Sequence, residues 1–191
     1  MFHKLICTAA ALAALTLAVP AANASTITAG TWYTFGFDGP GGALYNCPAC
    51  TIGSNAPDGA PIVFASDAPW TITTTSSSQQ LIVLDGFLST DQFQIFDNLV
   101  DLGPTSAAIP GADCGSDISC AYSDASFSRG IYALNPGAHS FTGTQIAGAG
   151  GAGFFMVTEA SATPAPEPAT LALFGAGLFG AGFLTRRRKA S

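Results

Sequence analysis

The central region of the sequence predicts an all-β fold, a β-sandwich of jelly-roll or Greek-key type, on three observations. The chain is 48% hydrophobic but only 9% charged and holds 22 Gly and 12 Pro, a composition suited to short strands joined by tight turns. Apolar alternation recurs in short runs, each bounded by turn residues. No heptad pattern, internal repeat or long amphipathic helix competes with that reading. A closed barrel is the alternative architecture.

Taken in order, strands are predicted near Thr31–Asp38, Pro61–Phe64, Trp70–Thr75, Gln80–Leu88, Gln92–Asp97, Leu99–Leu102, Arg129–Leu134, Ser140–Ile146 and Gly153–Glu159, enough for two sheets. Within Gln92–Asp97, Phe93 and Ile95 share one face while Gln92, Gln94 and Phe96 share the other. Asp97-Asn98 then supplies turn chemistry, so a hairpin is expected before Leu99.

The formal net charge is -6, and every Lys and Arg except Arg129 lies near a chain end. An acidic centre with a single Arg lacks the cations that neutralise phosphates, which excludes nucleic acid as a partner class. Cations or neutral polymers fit better.

The two ends read as addresses. After Lys4 comes an apolar run from Leu5 to Val19, then Ala22-Asn23-Ala24 before Ser25. This is the pattern of a secretory signal peptide read by the export machinery, with cleavage between Ala24 and Ser25. At the other end Pro164-Ala165-Pro166-Glu167-Pro168 leads into an apolar run from Leu171 to Leu184 and the basic group Arg186, Arg187, Arg188, Lys189. A Pro-rich strip stays extended and accessible to a protease. The uncharged stretch Ala169 to Thr185 is at the short end of a membrane-spanning helix, and the basic end stays cytoplasmic by the positive-inside rule. The domain boundaries expected are 1–24 signal peptide, 25–162 β-sandwich, 163–170 Pro-rich linker, 171–185 membrane helix and 186–191 basic tail.

This C-terminal arrangement resembles the PEP-CTERM sorting signal, with Pro166, Glu167 and Pro168 at the name-giving motif and the apolar and Arg-rich segments in the expected order. The resemblance implies recognition by an exosortase, a membrane transpeptidase-like enzyme that cuts near the motif and passes the protein to the cell surface, envelope or exopolysaccharide matrix. A permanent single-pass anchor is the other reading of the tail. The stretch LDGFLSTDQFQIFDNLVDLGPTS, with Phe127-Ser128-Arg129-Gly130 and the Leu134–Ser140 segment, looks like a β-sandwich ectodomain of other PEP-CTERM proteins, one with no assigned activity.

Cys7 leaves with the signal peptide, so four cysteines remain: Cys47 and Cys50 in CPAC, and Cys114 and Cys120 in CGSDISC. In an exported protein these suggest disulfides, most simply within each pair, with cross-pairing as the alternative. A redox C-x-x-C lacks its βαβ setting here, and a zinc site is disfavoured by the second spacing and the oxidising compartment.

Hard oxygen ligands on one hairpin region, Asp85, Asp91, Asp97 and Asp101, could collect Ca²⁺, although each also suits a turn. Asp113, Asp117 and Asp124 form a second acidic group around the second cysteine pair. His139, after a Pro-Gly turn, is expected at a strand edge on the surface, and no Ser stands in a nucleophile elbow near it. Trp32, Tyr33, Tyr45, Trp70, Tyr122 and Tyr132 are the aromatics from which a sugar-stacking platform could be drawn, Trp32 and Trp70 first. The function expected is a non-enzymatic structural or adhesive surface protein without a cofactor unless Ca²⁺ binds. The alternatives are a calcium-dependent or carbohydrate-binding module and a matrix polysaccharide hydrolase.

Overall fold

The computed structural model describes residues 24–159, and within them the architecture is two packed sheets. The strands in chain order are β1 (Ser25–Thr26), β2 (Trp32–Phe37), β3 (Ile62–Phe64), β4 (Trp70–Thr74), β5 (Gln80–Asp85), β6 (Phe87–Leu88), β7 (Gln92–Asp97), β8 (Val100–Pro104), β9 (Asp113–Gly115), β10 (Arg129–Ala133), β11 (Gly137–Ala147) and β12 (Gly151–Val157). One short helix, α1 (Ile118–Ser123), lies between β9 and β10.

One sheet runs β1-β4-β11-β7-β8 and the other β10-β5-β12-β2-β3, while β6 and β9 form a small separate pair. Only β2–β3 and β7–β8 join sequence neighbours, because the chain otherwise crosses between layers, in the manner of a double-sheet jelly roll. The predicted sandwich is the fold observed. The expected hairpin is present too: β7 and β8 meet at Asp97↔Val100 across a two-residue turn in which Asn98 and Leu99 have φ 49° and 66°. Two positive φ angles give the twist that lets a tight turn continue the strands.

Side-chain alternation builds the core. Tyr33, Phe35 and Phe37 of β2, Leu81 and Val83 of β5, and Phe155 and Val157 of β12 face Trp70, Phe93, Ile95 and Phe141 of the opposite sheet. Phe35 is the hub, with ring centroids 5.4 Å from Phe93, 6.0 Å from Trp70 and 6.1 Å from Phe155. Rings packed at such angles contribute beyond the area they bury.

The other face of the β2 sheet is also covered. Trp32, Ile82, Leu84 and Phe154 meet Ile118 and Ala121 of α1 and the preceding loop residue of β10, Phe127. Gly53 lets the loop before β3 lie flat there, since a Cβ would come within 2.8 Å of Ile118 and Phe154. Each cysteine pair is within bonding distance inside its own loop, Cys47 with Cys50 and Cys114 with Cys120, with Cα atoms 5.3 Å and 5.6 Å apart. The second pair holds α1 next to β9, over the sheet.

Three features were not expected from sequence: β1, β9 and α1. The predicted strand Gln80–Leu88 also breaks in two at Gly86, where a Cβ would sit 2.6 Å from the Phe154 ring.

Candidate functional site

β11 explains where the chemistry-bearing side chains gather. Its alternating positions His139, Phe141, Gly143 and Gln145 all point between the sheets and are buried. Phe141 and Gly143 fall in the middle, where the neighbours are apolar. His139 and Gln145 fall at the two ends, and each organises a buried polar group.

At one end His139 Nδ1 donates to Asp97 Oδ2 at 2.6 Å, and its Nε2 lies 2.8 Å from the Asn135 carbonyl and 3.0 Å from the Thr74 hydroxyl. Asp97 Oδ1 accepts from the backbone N–H of Ser140 at 3.0 Å. The ring stacks on Phe141, 13° from parallel with centroids 5.6 Å apart, so the expectation of a surface histidine is corrected: His139 is 8% exposed. Thr74, the one hydroxyl beside it, is 2% exposed and donates to the Asn135 carbonyl at 2.6 Å.

At the other end Gln145 Nε2 donates toward Asp91 Oδ1 at 2.6 Å, the Ala149 carbonyl at 2.6 Å and the Ala147 carbonyl at 3.0 Å. Asp91 Oδ1 also accepts from Ala149 N–H at 2.8 Å, and Oδ2 from the Thr90 hydroxyl at 3.0 Å. Asp85, on the inward face of β5, accepts from Gly86 N–H at 2.8 Å and Asp91 N–H at 3.1 Å. Desolvation pushes its carboxyl up to about 8, against the pull of those two donors. Desolvation raises Asp91 as well.

Of the four aspartates expected to share a cation, the structure brings Asp85 and Asp91 together and sends the other two elsewhere. Asp97 belongs to His139, and Asp101 sits on β8, accepting from Gln94 and from Gly103 N–H. Among the described residues no three His, Cys, Asp or Glu side chains converge. Asp113 and Asp124 close turns by accepting from Gly115 and Ser126 N–H. Asp117 caps α1 through Cys120 N–H at 2.8 Å and accepts from Asn55 at 2.9 Å, and those bonds hold its carboxyl below the ordinary range.

The aromatic expectation is corrected at its two leading members, since Trp32 and Trp70 are 1% and 3% exposed. Trp70 is packed on Phe155 with centroids 4.4 Å apart, and Trp32 lies against Tyr122, over which Arg129 stacks. Among the described residues a different surface, half-buried, has no second layer over it. The outer face of the β1-β4-β11-β7-β8 sheet carries Thr71 and Thr73 of β4, Ser140, Thr142 and Thr144 of β11, and Gln92, Gln94 and Phe96 of β7. Phe96 stands opposite Thr142 and Gln94 opposite Thr144. A shallow groove lined by Thr26, Thr71, Thr73, Asn98 and Ser140 crosses the same face. Sequence reasoning had already placed Gln92, Gln94 and Phe96 together on one face of β7, but nothing marked that face as the exposed one.

At the proposed cleavage junction, Ala24 is exposed and Ser25 opens β1, its N–H bonded to the Pro69 carbonyl at 2.9 Å. Pro166, Glu167, Pro168, the membrane segment and the basic group lie outside the described residues. Among the described residues no helix is long and apolar enough to cross a membrane.

A β-sandwich domain followed in sequence by a Pro-rich strip, an apolar run and a basic end defines a class: exported proteins sorted through their C-terminus. The tail is matched over residues 164–189 by the family model described as the PEP-CTERM protein-sorting motif, and the chain carries that signal. The signal implies export, anchoring by the C-terminus before cleavage, and recognition by an exosortase. No curated protein and no solved structure matches the chain.

Proposed function

We propose that the sandwich is a non-enzymatic unit of the cell surface or exopolysaccharide matrix, delivered by its tail, and that its open sheet face meets neutral polysaccharide. The observation that carries this reading is the asymmetry of the two sheets. One is covered on its outer side by α1 and loops, whereas the other offers a face of hydroxyls and carboxamides around Phe96.

Such a face suits a sugar chain. Thr, Ser and Gln side chains both donate and accept, as sugar hydroxyls do, and an aromatic ring packs on the apolar face of a pyranose. The face has no Lys or Arg and borders Asp101, so an anionic polymer would be repelled. The inward orientation of His139 and the burial of Thr74 support a binding or structural role over hydrolysis.

Retention of the purified protein on the exopolysaccharide of its own host tests the reading. Wild-type protein is expected to be retained, and Phe96→Ala combined with Thr142→Lys to be released while its thermal midpoint changes little. Passage of wild-type protein through every such column, or full retention of the double variant, counts against it.

A further inference from the structure

The two most exposed large hydrophobic side chains among the described residues are neighbours: Leu99 is 90% exposed and Val100 64%. They form the tip of the β7–β8 hairpin, and local chemistry does not account for them. Leu99 holds φ +66° as the second residue of the two-residue turn, a position where Gly is favoured and a bulky side chain is strained. Gly there would relieve the backbone and take an apolar group out of water. A Leu that goes against both preferences, followed at once by an exposed Val, marks the tip for contact with something apolar.

What the tip meets follows from where the chain leaves the sandwich. A run of hydrogen bonds places Leu99 and the end of β12 at the same end of the domain. Thr158 N–H donates to the Gln80 carbonyl, Leu134 N–H to that of Gln79, the Thr74 hydroxyl to that of Asn135, and Asn98 Nδ2, next to Leu99, to that of Ala138. Glu159 is the last described residue, and residues 160–170, which separate it from the apolar run beginning at Leu171, reach at most about 40 Å. A chain anchored through that run keeps the exit end of the sandwich within that distance of the bilayer. The loops beside the tip suit a neutral surface. Residues 75–79 and 134–138 carry no charged side chain, and Asp97 is tied to His139. Asp58, Asp101 and Glu159 are the exposed acids of this end, and they make a strongly anionic bilayer a poor partner.

We propose that, while the chain is held by its C-terminal segment, Leu99 and Val100 dip into the headgroup–acyl boundary of the same bilayer and set the sandwich on it tip first. The partner is a neutral lipid surface. Two side chains alone are a weak hold, since even one myristoyl chain binds a free protein to a membrane only marginally. A tether changes this by raising the effective concentration of the surface at the tip to about the mM range. The contact therefore lasts only while the tail is in the membrane, and cutting the tail frees the domain outright. Contact at the end of the domain leaves the outer face of the β1-β4-β11-β7-β8 sheet clear, so it is independent of the polysaccharide reading.

The test uses the full chain reconstituted into phosphatidylcholine bilayers. Neutron reflectometry on a supported bilayer reads the water layer between headgroups and domain. Wild-type protein is expected to show none, and Leu99→Gly combined with Val100→Thr to open one, within the roughly 40 Å that residues 160–170 allow. Because Gly suits the turn, this variant is expected to keep or raise the thermal midpoint, which separates loss of contact from loss of fold. In vesicles with brominated acyl chains, an indole placed by Leu99→Trp is expected to lose most of its emission. Leu88→Trp, at an exposed apolar position of β6 at the opposite end, is expected to keep its emission, with buried Trp32 and Trp70 as a constant background. A water layer beneath wild-type protein, a profile unchanged in the double variant, or equal quenching at the two positions overturns the proposal, as does failure of the chain to stay with the bilayer.

Discussion

His139 shows how far a single residue's role depends on the strand that carries it. From sequence it follows a Pro-Gly turn and reads as surface; in the fold β11 begins at Gly137, so His139 falls in step with Phe141 and points inward. The alternation His139, Phe141, Gly143, Gln145 was already legible and is the signal that would have found both buried polar groups. What it could not give is the partner, because Asp97 ends β7 and Asp91 stands just before it, and the pairing register is tertiary. Removing one partner of a buried hydrogen-bonded pair leaves the other unsatisfied, at about 1–3 kcal/mol, more if charged. Asp97→Ala is therefore predicted to lower stability by about 2 kcal/mol in urea unfolding. Asp101→Ala, on the exposed β8, is expected to cost less than about 0.5 kcal/mol, as surface changes usually do. Equal losses for the two would show that the His139 pair contributes little.

At the scale of elements, the strands with strong alternation were the legible ones. Gln92–Asp97 matched to the residue, hairpin included. β1 and β9 span two and three residues, too short for any periodicity, and α1 is held by what lies outside its own sequence. Its six residues make fewer than two turns, so its stability comes from the Asp117 cap, the Cys114–Cys120 pair and the packing of Ile118 and Ala121 on Phe154. The cap also has a charge component. Hydrogen bonds to Cys120 N–H and Asn55 lower the carboxyl of Asp117 in the folded state, so its contribution is complete above the ordinary carboxylate range near 4 and is lost as pH falls through the lowered value. Asp117→Asn keeps a capping oxygen but no charge. It is predicted to unfold at lower urea concentration than wild type at pH 7 and at nearly the same concentration near pH 2. A gap that persists unchanged in acid would assign the loss to geometry instead.

The whole molecule is lopsided, and the sequence hid this most completely. Trp32 and Trp70 look like equivalent candidates for a surface platform, yet one is buried beneath the α1 layer and the other between the sheets. Alternation reports that a strand has two faces; it does not report that, among the described residues, a second layer covers one sheet and not the other. The sorting tail was fully legible, because its recognition depends on local order of residue types and not on packing. The position of β12 has a mechanical consequence. It is the last strand among the described residues and a central one in space, bonded to β2 on one side and β5 on the other. Tension entering from a tethered C-terminus must shear two ladders at once, whereas tension entering at the other end reaches only the two-residue edge strand β1. In single-molecule pulling through the C-terminus, with the opposite handle at an internal site on β11, the domain is predicted to resist greater force than when pulled through Ser25 with the same handle. Equal forces would mean that the placement of β12 gives no such resistance. A domain held by its C-terminus would pass load into two ladders at once.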